Sequence, residues 1–152
     1  MAELRALTVR QPWAHMIAHC GKNVENRGRQ TRYRGLLAVH AGAASRWDRS
    51  GEQSPLVRQA WRECGHLPAH LDRGSPWINL GAVIAVAELA GCHHSDECGR
   101  CSAWSQPDGW HWELRDVRPL RAPVPCKGKL GLWRLPEYAE KGVREQLEDS
   151  RA

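Results

Sequence analysis

Lys22, Glu25 and Arg27 fall within six positions of one another, immediately after Gly21. A lysine beside a carboxylate and a guanidinium can hook an anion, or serve as a general base once its pKa is depressed. Glu25 and Arg27 are two residues apart and share a face if residues 23–28 form a strand. Glu88 is the one charge in the apolar run 82–90. A buried carboxylate needs a cationic or hydrogen-bonding partner, and Lys22 and Arg27 are the expected ones. If these four heads converge, they make a small cleft suited to a polar or anionic ligand. Lys22, Glu25 and Glu88 are the candidate catalytic residues of such a cleft. With no obvious nucleophile in the sequence, an enzyme built on them needs an activated water.

Two further clusters carry chemistry. Cys98 and Cys101 have the CxxC spacing of a zinc half-site, and Cys92, His93 or His94 can complete the set, so the segment reads either as a structural zinc site or as a polar loop that carries thiols. In Cys126-Lys127-Gly128-Lys129, two lysines flank a glycine, which lets backbone and ammonium groups approach a phosphate closely. Arg10, Lys22, Arg27, Lys127 and Lys129 are thus candidate phosphate contacts, and Trp13, Trp110 and Trp112 candidate stacking platforms for bases. His15 and His19 lie four apart but lack the intervening Glu of a zinc-protease motif, and they read as a solvated helix face. No phosphate-binding P-loop, dinucleotide fingerprint or Ser–His–Asp order is present.

The elements that must position these residues follow from periodicity. Residues 4–9 read as a strand. Gln11-Pro12 opens a helix with proline at an early position. Trp13, Met16, Ile17 and Cys20 form its apolar stripe, and Gly21 stops it. Strands follow over 23–28 and 35–41. Residues 43–80 read as a helical insertion, with Ser54-Pro55 as an N-cap and N1 pair. Leu56, Val57, Ala60, Trp61 and Cys64 form the apolar face of that helix. Residues 66–79 are irregular or a short second helix. Residues 82–90 are apolar on both alternating faces, as in a strand covered on both sides. Residues 92–109 read as a long loop, 110–118 and 130–135 as strands, and 137–148 as a helix with Ala139, Val143 and Leu147 four apart. Short strands with segregated helices predict an α+β fold or small barrel.

The chain has 152 residues, which fits one compact domain. Its net charge of +5 is uneven, because the acids concentrate in residues 137–152 and leave the rest more basic. Such a body favours a polyanion: a nucleic acid or nucleotide-like ligand. There are eight Trp and no Phe, so the indoles serve either as core or as stacking surfaces. No run of 18 apolar residues occurs, and Glu3, Arg5 and Arg10 interrupt any apolar leader at the N-terminus. The expectation is a cytoplasmic protein with no membrane partner and all six cysteines reduced.

Taken in order, Leu7-Thr8-Val9-Arg10-Gln11-Pro12-Trp13 and then Gly21-Lys22, Glu25 and Arg27 resemble the signature of the ASCH domain. Tyr33 to Ala41, Gly81 to Glu88, Trp112-Glu113-Leu114, and Pro125 to Leu135 resemble its later strands. The resemblance spans most of residues 4–136, with the insertion at about 43–80 outside the common core and 137–152 as a C-terminal helix and tail. It implies a PUA-like small β-barrel with surrounding helices and a charged cleft facing the first helix. Gln11, Trp13, Lys22, Glu25, Arg27, Glu88 and Lys127 would line or border that cleft. ASCH domains are generally viewed as nucleic-acid-binding modules, for RNA, single-stranded DNA or an altered base. A few ASCH-like proteins are hydrolases, of ribonuclease or acetylated-cytidine amidohydrolase type. The amidohydrolase pattern pairs a lysine with a threonine three residues later; position 25 here is glutamate.

Overall fold

The computed structural model describes residues 1–65, 71–98 and 100–151. Six strands form one curled mixed sheet in the order β2-β5-β4-β3-β1-β6. They are β1 (Leu4–Val9), β2 (Val24–Arg27), β3 (Gly35–Ala41), β4 (Ala82–His94), β5 (Trp110–Pro125) and β6 (Leu132–Trp133). Only β1 and β3 run parallel among these neighbours; the other pairings are antiparallel. The half-barrel and its flanking helices make the α+β architecture expected from the pattern of short strands, consistent with the PUA-like barrel that the family resemblance implies.

Three apolar clusters hold the molecule together. Leu7, Val9, Leu37, Val39, Ala85, Ala87 and Leu89 line one face of the sheet. They pack on Ala14, Ile17 and Ala18 of α1 (Trp13–His19). On the other face, Leu4, Ala6, Ala38, Val83 and Val86 meet Ala139, Val143 and Leu147 of α5 (Glu137–Asp149), the stripe its four-residue spacing foretold. A third cluster joins Met16 of α1 to Val57, Ala60 and Trp61 of α3 (Pro55–Glu63). The Ser54 hydroxyl caps α3 by accepting from the Val57 N–H, as its sequence position demands.

Several boundaries differ from the sequence reading. Pro12 does not open the helix from within. It sits one residue before α1 and follows a cis peptide bond. The insertion breaks into a 3-10 turn (Ala44–Arg46), the short α2 (Arg49–Gln53) and α3. The reading of 66–79 falls partly outside the described residues. Both central strands outrun their expected ends. β4 continues through Gly91-Cys92-His93-His94 and β5 reaches Pro125, so the expected loop 92–109 starts later, with α4 (Ser95–Cys98). The strand pairing carries these polar residues, because each backbone group finds its ladder partner whatever the side chain.

Cysteine chemistry also departs from expectation. Cys20, at the end of α1, and Cys64, at the end of α3, are joined as a disulfide with 5.7 Å between their α-carbons, so not all six thiols are free. His15 is buried rather than solvated, with its ring against those of His19 and Trp61. Among the described residues, no helix is long and apolar enough to cross a membrane.

Candidate functional site

The parallel pairing of β1 with β3 brings the C-terminal ends of both strands to one edge of the sheet. A cleft of about 720 Å³ opens there. Its floor is the Lys22, Glu25 and Arg27 group. Gly21, at φ 78°, turns the chain out of α1, and β2 then presents Glu25 and Arg27 on one face. Arg27 grips Glu25 through Nε at 3.0 Å and a terminal nitrogen at 2.9 Å, and also donates to the Thr8 carbonyl at 2.8 Å. The Lys22 ammonium lies 3.8 Å from the Glu25 carboxylate and donates to the Val24 carbonyl. Indole rings stand near it, with centroids at 5.3 Å for Trp13 and 5.7 Å for Trp104.

Lys22 is 2% exposed. That burial pushes its pKa below the ordinary lysine value; Glu25 opposes the shift and Arg27 reinforces it. The result is a cation held at the base of the cleft by one carboxylate and two aromatic faces.

One wall grows from the insertion. The Trp13 indole N–H donates to Asp48 at 2.8 Å, and Asp48 also accepts from the Ser50 backbone N–H and hydroxyl. Those hydrogen bonds hold the Asp48 carboxyl below its usual value, although burial works against them. Gly51 is pressed onto the Gln11-Pro12-Trp13 corner: a Cβ there would lie 2.9 Å from Pro12 Cδ and 3.0 Å from the Trp13 ring. The exposed Arg46 and Arg10 project on this side.

The opposite rim is the Lys127-Gly128-Lys129 turn, with both lysines exposed. The turn is clamped onto β1 and β3. His40 places Nε2 2.7 Å from the Cys126 carbonyl and Nδ1 3.3 Å from the Thr8 hydroxyl, to which the Trp133 indole donates at 3.2 Å. Because Nε2 must donate to that carbonyl, Nδ1 of the neutral ring accepts from Thr8. A Cβ on Gly128 would come within 2.7 Å of Thr8 Oγ1 and 2.8 Å of His40 Cε1. Only a glycine lets the turn sit this close.

Of the residues singled out from sequence, Arg10, Trp13, Lys22, Glu25, Arg27, Lys127 and Lys129 meet at this cleft. Four others do not. Glu88 points to a different surface and pairs with Arg115 at 3.2 Å, its cross-strand neighbour on β5. The apolar residues Ala87 and Leu89 beside it take the core-facing positions and turn Glu88 outward. Gln11 is buried, with Nε2 donating to the Asn79 carbonyl and Oε1 accepting from the His15 N–H. It tethers the insertion and starts α1 instead of facing a ligand. Trp112 is a core residue whose indole donates to the Arg29 carbonyl, and Trp110 packs beside it with its edge against His94. Thr8, His40 and Arg46 line the cleft unforeseen. A histidine within the apolar run 35–41 was the available signal for one of them.

A second polar cluster lies at the far end of the β4–β5 hairpin. His93, Cys98, Cys101 and His111 offer four ligand atoms that all lie within 4.8 Å of one another. His93 was expected there, as were both cysteines; Cys92 and His94 are excluded by strand alternation. Cys92 packs on the core side of β4, and His94 turns its ring to Trp110 and Asp96. His111 replaces them from β5, directly across from His93 in register. Burial pushes the Cys101 thiol up, but hydrogen bonds with Cys98, Ser105, His93 and His111 bring it down to about 6. The loop bearing these cysteines folds back over β2. Asn26 donates to the Trp104 carbonyl and accepts from the Gln106 N–H, each at 2.9 Å, so Trp104 reaches Lys22 and Gln106 reaches the cleft.

No family model matches the sequence, and no curated protein matches it significantly. Solved structures do match the fold. A tyrosine-to-phenylalanine mutant of ZmASCH from Zymomonas mobilis superposes with a TM-score of 0.55 at 14% identity, covering 95% of this chain and 98% of that one. A serine-to-alanine mutant of the same protein gives 0.54 at 14% identity, with 93% and 94% covered. The unmutated protein gives 0.52 at 13% identity over the same shares.

Proposed function

From an ASCH-type fold, we propose that this chain binds single-stranded nucleic acid through the cleft between α1 and the Lys127-Gly128-Lys129 turn. The observation that carries this reading is the charge of that cleft. Arg10, Arg46, Lys127 and Lys129 ring it, and its two acids, Glu25 and Asp48, are already held by Arg27, Trp13 and Ser50. The positive field around the opening is therefore uncompensated and suits a phosphate backbone. The cleft is large enough for a nucleotide, and Trp13 gives one wall an aromatic face. A stacked base contributes about 1–3 kcal/mol on such a face.

Binding measured against salt tests the proposal. Affinity for a short RNA or single-stranded DNA should fall steeply as salt rises. Lys127→Ala and Lys129→Ala should each reduce the slope of log K against log salt by about one. Both lysines are exposed, so neither change threatens the fold. Affinity indifferent to salt, or unchanged in both variants, rejects the proposal.

A hydrolytic role on RNA or a modified nucleoside is the second reading, favoured by the lowered pKa of Lys22 beside Glu25. It proceeds without Glu88, which faces Arg115. Incubation with labelled RNA and modified nucleosides separates the two: turnover that disappears in Lys22→Met selects hydrolysis, and binding without turnover selects the binding module.

A further inference from the structure

We infer that His93, Cys98, Cys101 and His111 form a structural zinc site that locks the β4–β5 loop against the cleft. All six distances among the four ligand atoms fall in a narrow range. They are 2.7 Å between the two sulfurs, 3.3 Å between the two ring nitrogens, and 2.9, 3.1, 3.5 and 3.7 Å between nitrogen and sulfur. Four atoms so spaced occupy the corners of a tetrahedron. A zinc ion with bonds of about 2.0–2.3 Å sets edges of roughly 3.3–3.8 Å. The three longer edges, 3.3, 3.5 and 3.7 Å, already meet that range. The S–S edge and the two edges from His93 Nε2 to the sulfurs lengthen, the S–S edge most, to admit the ion.

The surroundings prepare both histidines as ligands. His111 Nε2 lies 2.6 Å from the Gln106 carbonyl, so that nitrogen carries the proton and the Nδ1 lone pair points at the cluster. His93 Nδ1 faces the Glu113 carboxylate at 3.3 Å, which leaves Nε2 aimed inward. A carbonyl and a carboxylate behind two imidazoles is the outer-shell arrangement that orients metal-bound histidines.

Two thiolates and two imidazoles at tetrahedral corners select zinc over magnesium or calcium, which take oxygen ligands. Four protein donors complete the coordination and leave no position for water, so the ion is structural and not hydrolytic. Two ligands come from paired strands, one from the last residue of α4 and one from the loop that follows it, so the ion staples that loop to the hairpin. The same loop carries Trp104 and Gln106 to the cleft, and Ser102 to Asn23.

The test uses the untagged 152-residue chain, because a histidine tag would bind metal itself. Elemental analysis of protein purified without added zinc should find one zinc per chain, and about none in Cys98→Ser/Cys101→Ser. Cys92→Ser and His94→Ala should keep the full complement. To remain independent of variant folding, wild-type protein is stripped by chelator, reduced and titrated with Co2+. One equivalent should produce the intense visible bands of tetrahedral cobalt together with a thiolate-to-metal charge-transfer band. Background zinc in the purified protein, with no such bands in the reduced and folded apo-protein, overturns the inference. Zinc lost in Cys92→Ser or His94→Ala with the fold intact overturns the ligand assignment.

Discussion

Lys22 and His40 are two basic side chains buried at the cleft, and burial lowers the pKa of both. For His40, burial outweighs the opposing hydrogen bond to the Cys126 carbonyl, so its folded pKa falls below the ordinary 6.5. The unfolded chain then binds the proton more readily than the native one. The His40 contribution to stability is complete above about pH 6.5 and is lost as pH falls through the folded pKa. Urea denaturation followed across this window should show stability declining with acid, and His40→Gln should flatten that decline. Gly128 sits against the same ring. Gly128→Ala should destabilise by about 1–3 kcal/mol, the usual cost of overpacking, since its Cβ would press on Thr8 and His40. Lys22→Met answers a different question. It removes a buried charge and leaves Glu25 held by Arg27, so thermal stability should stay within about 1 kcal/mol of wild type while ligand affinity falls. A loss of several kcal/mol would show that Lys22 serves the fold before the ligand.

At the scale of elements, the early motif was legible and the hairpin was not. Residues 4–41 announce β1, α1, β2 and β3 because each carries one clear period and ends at a residue with its own stop signal, such as Gly21. The end of β4 carries two histidines and a cysteine, so hydrophobic alternation fades there while backbone pairing to β5 continues. That concealed His111, which joins the cysteines across the sheet and not along the chain. The same limit misplaced Glu88: a lone charge in an apolar run signals a partner without saying on which face it waits, and the partner is Arg115. Trp112 misled in the opposite direction, since its indole N–H is satisfied by a backbone carbonyl inside the core. The disulfide closes a loop with a sequence separation of 44 and ties α1 to α3, so Cys64→Ser should cost about 2–4 kcal/mol by denaturant titration. Chelation should expose residues 95–109 to limited proteolysis ahead of the sheet, read by mass spectrometry of the first fragments.

Across the whole molecule, the helices divide into those that cover the sheet and those that shape the opening. α5 closes the face of the sheet opposite α1 through Ala139, Val143 and Leu147, and none of its residues lines the cleft. Leu147→Ala should therefore lower stability by about 2 kcal/mol, at the low end for a leucine truncation, and leave salt-dependent binding unchanged. Residues 44–53, in contrast, add little to the sheet and contribute Arg46 and Asp48 to the cleft. β1 and β3 lie side by side and run the same way, so the chain leaves both at one edge, at Arg10 and at Gly42. One exit leads into the fixed corner and α1; the other leads into the insertion. A shorter or longer turn at Ala44–Arg46 would thus refit one jaw of a clamp, while α3, its disulfide to α1 and the apolar cluster around Met16 hold the hinge and anvil where they are.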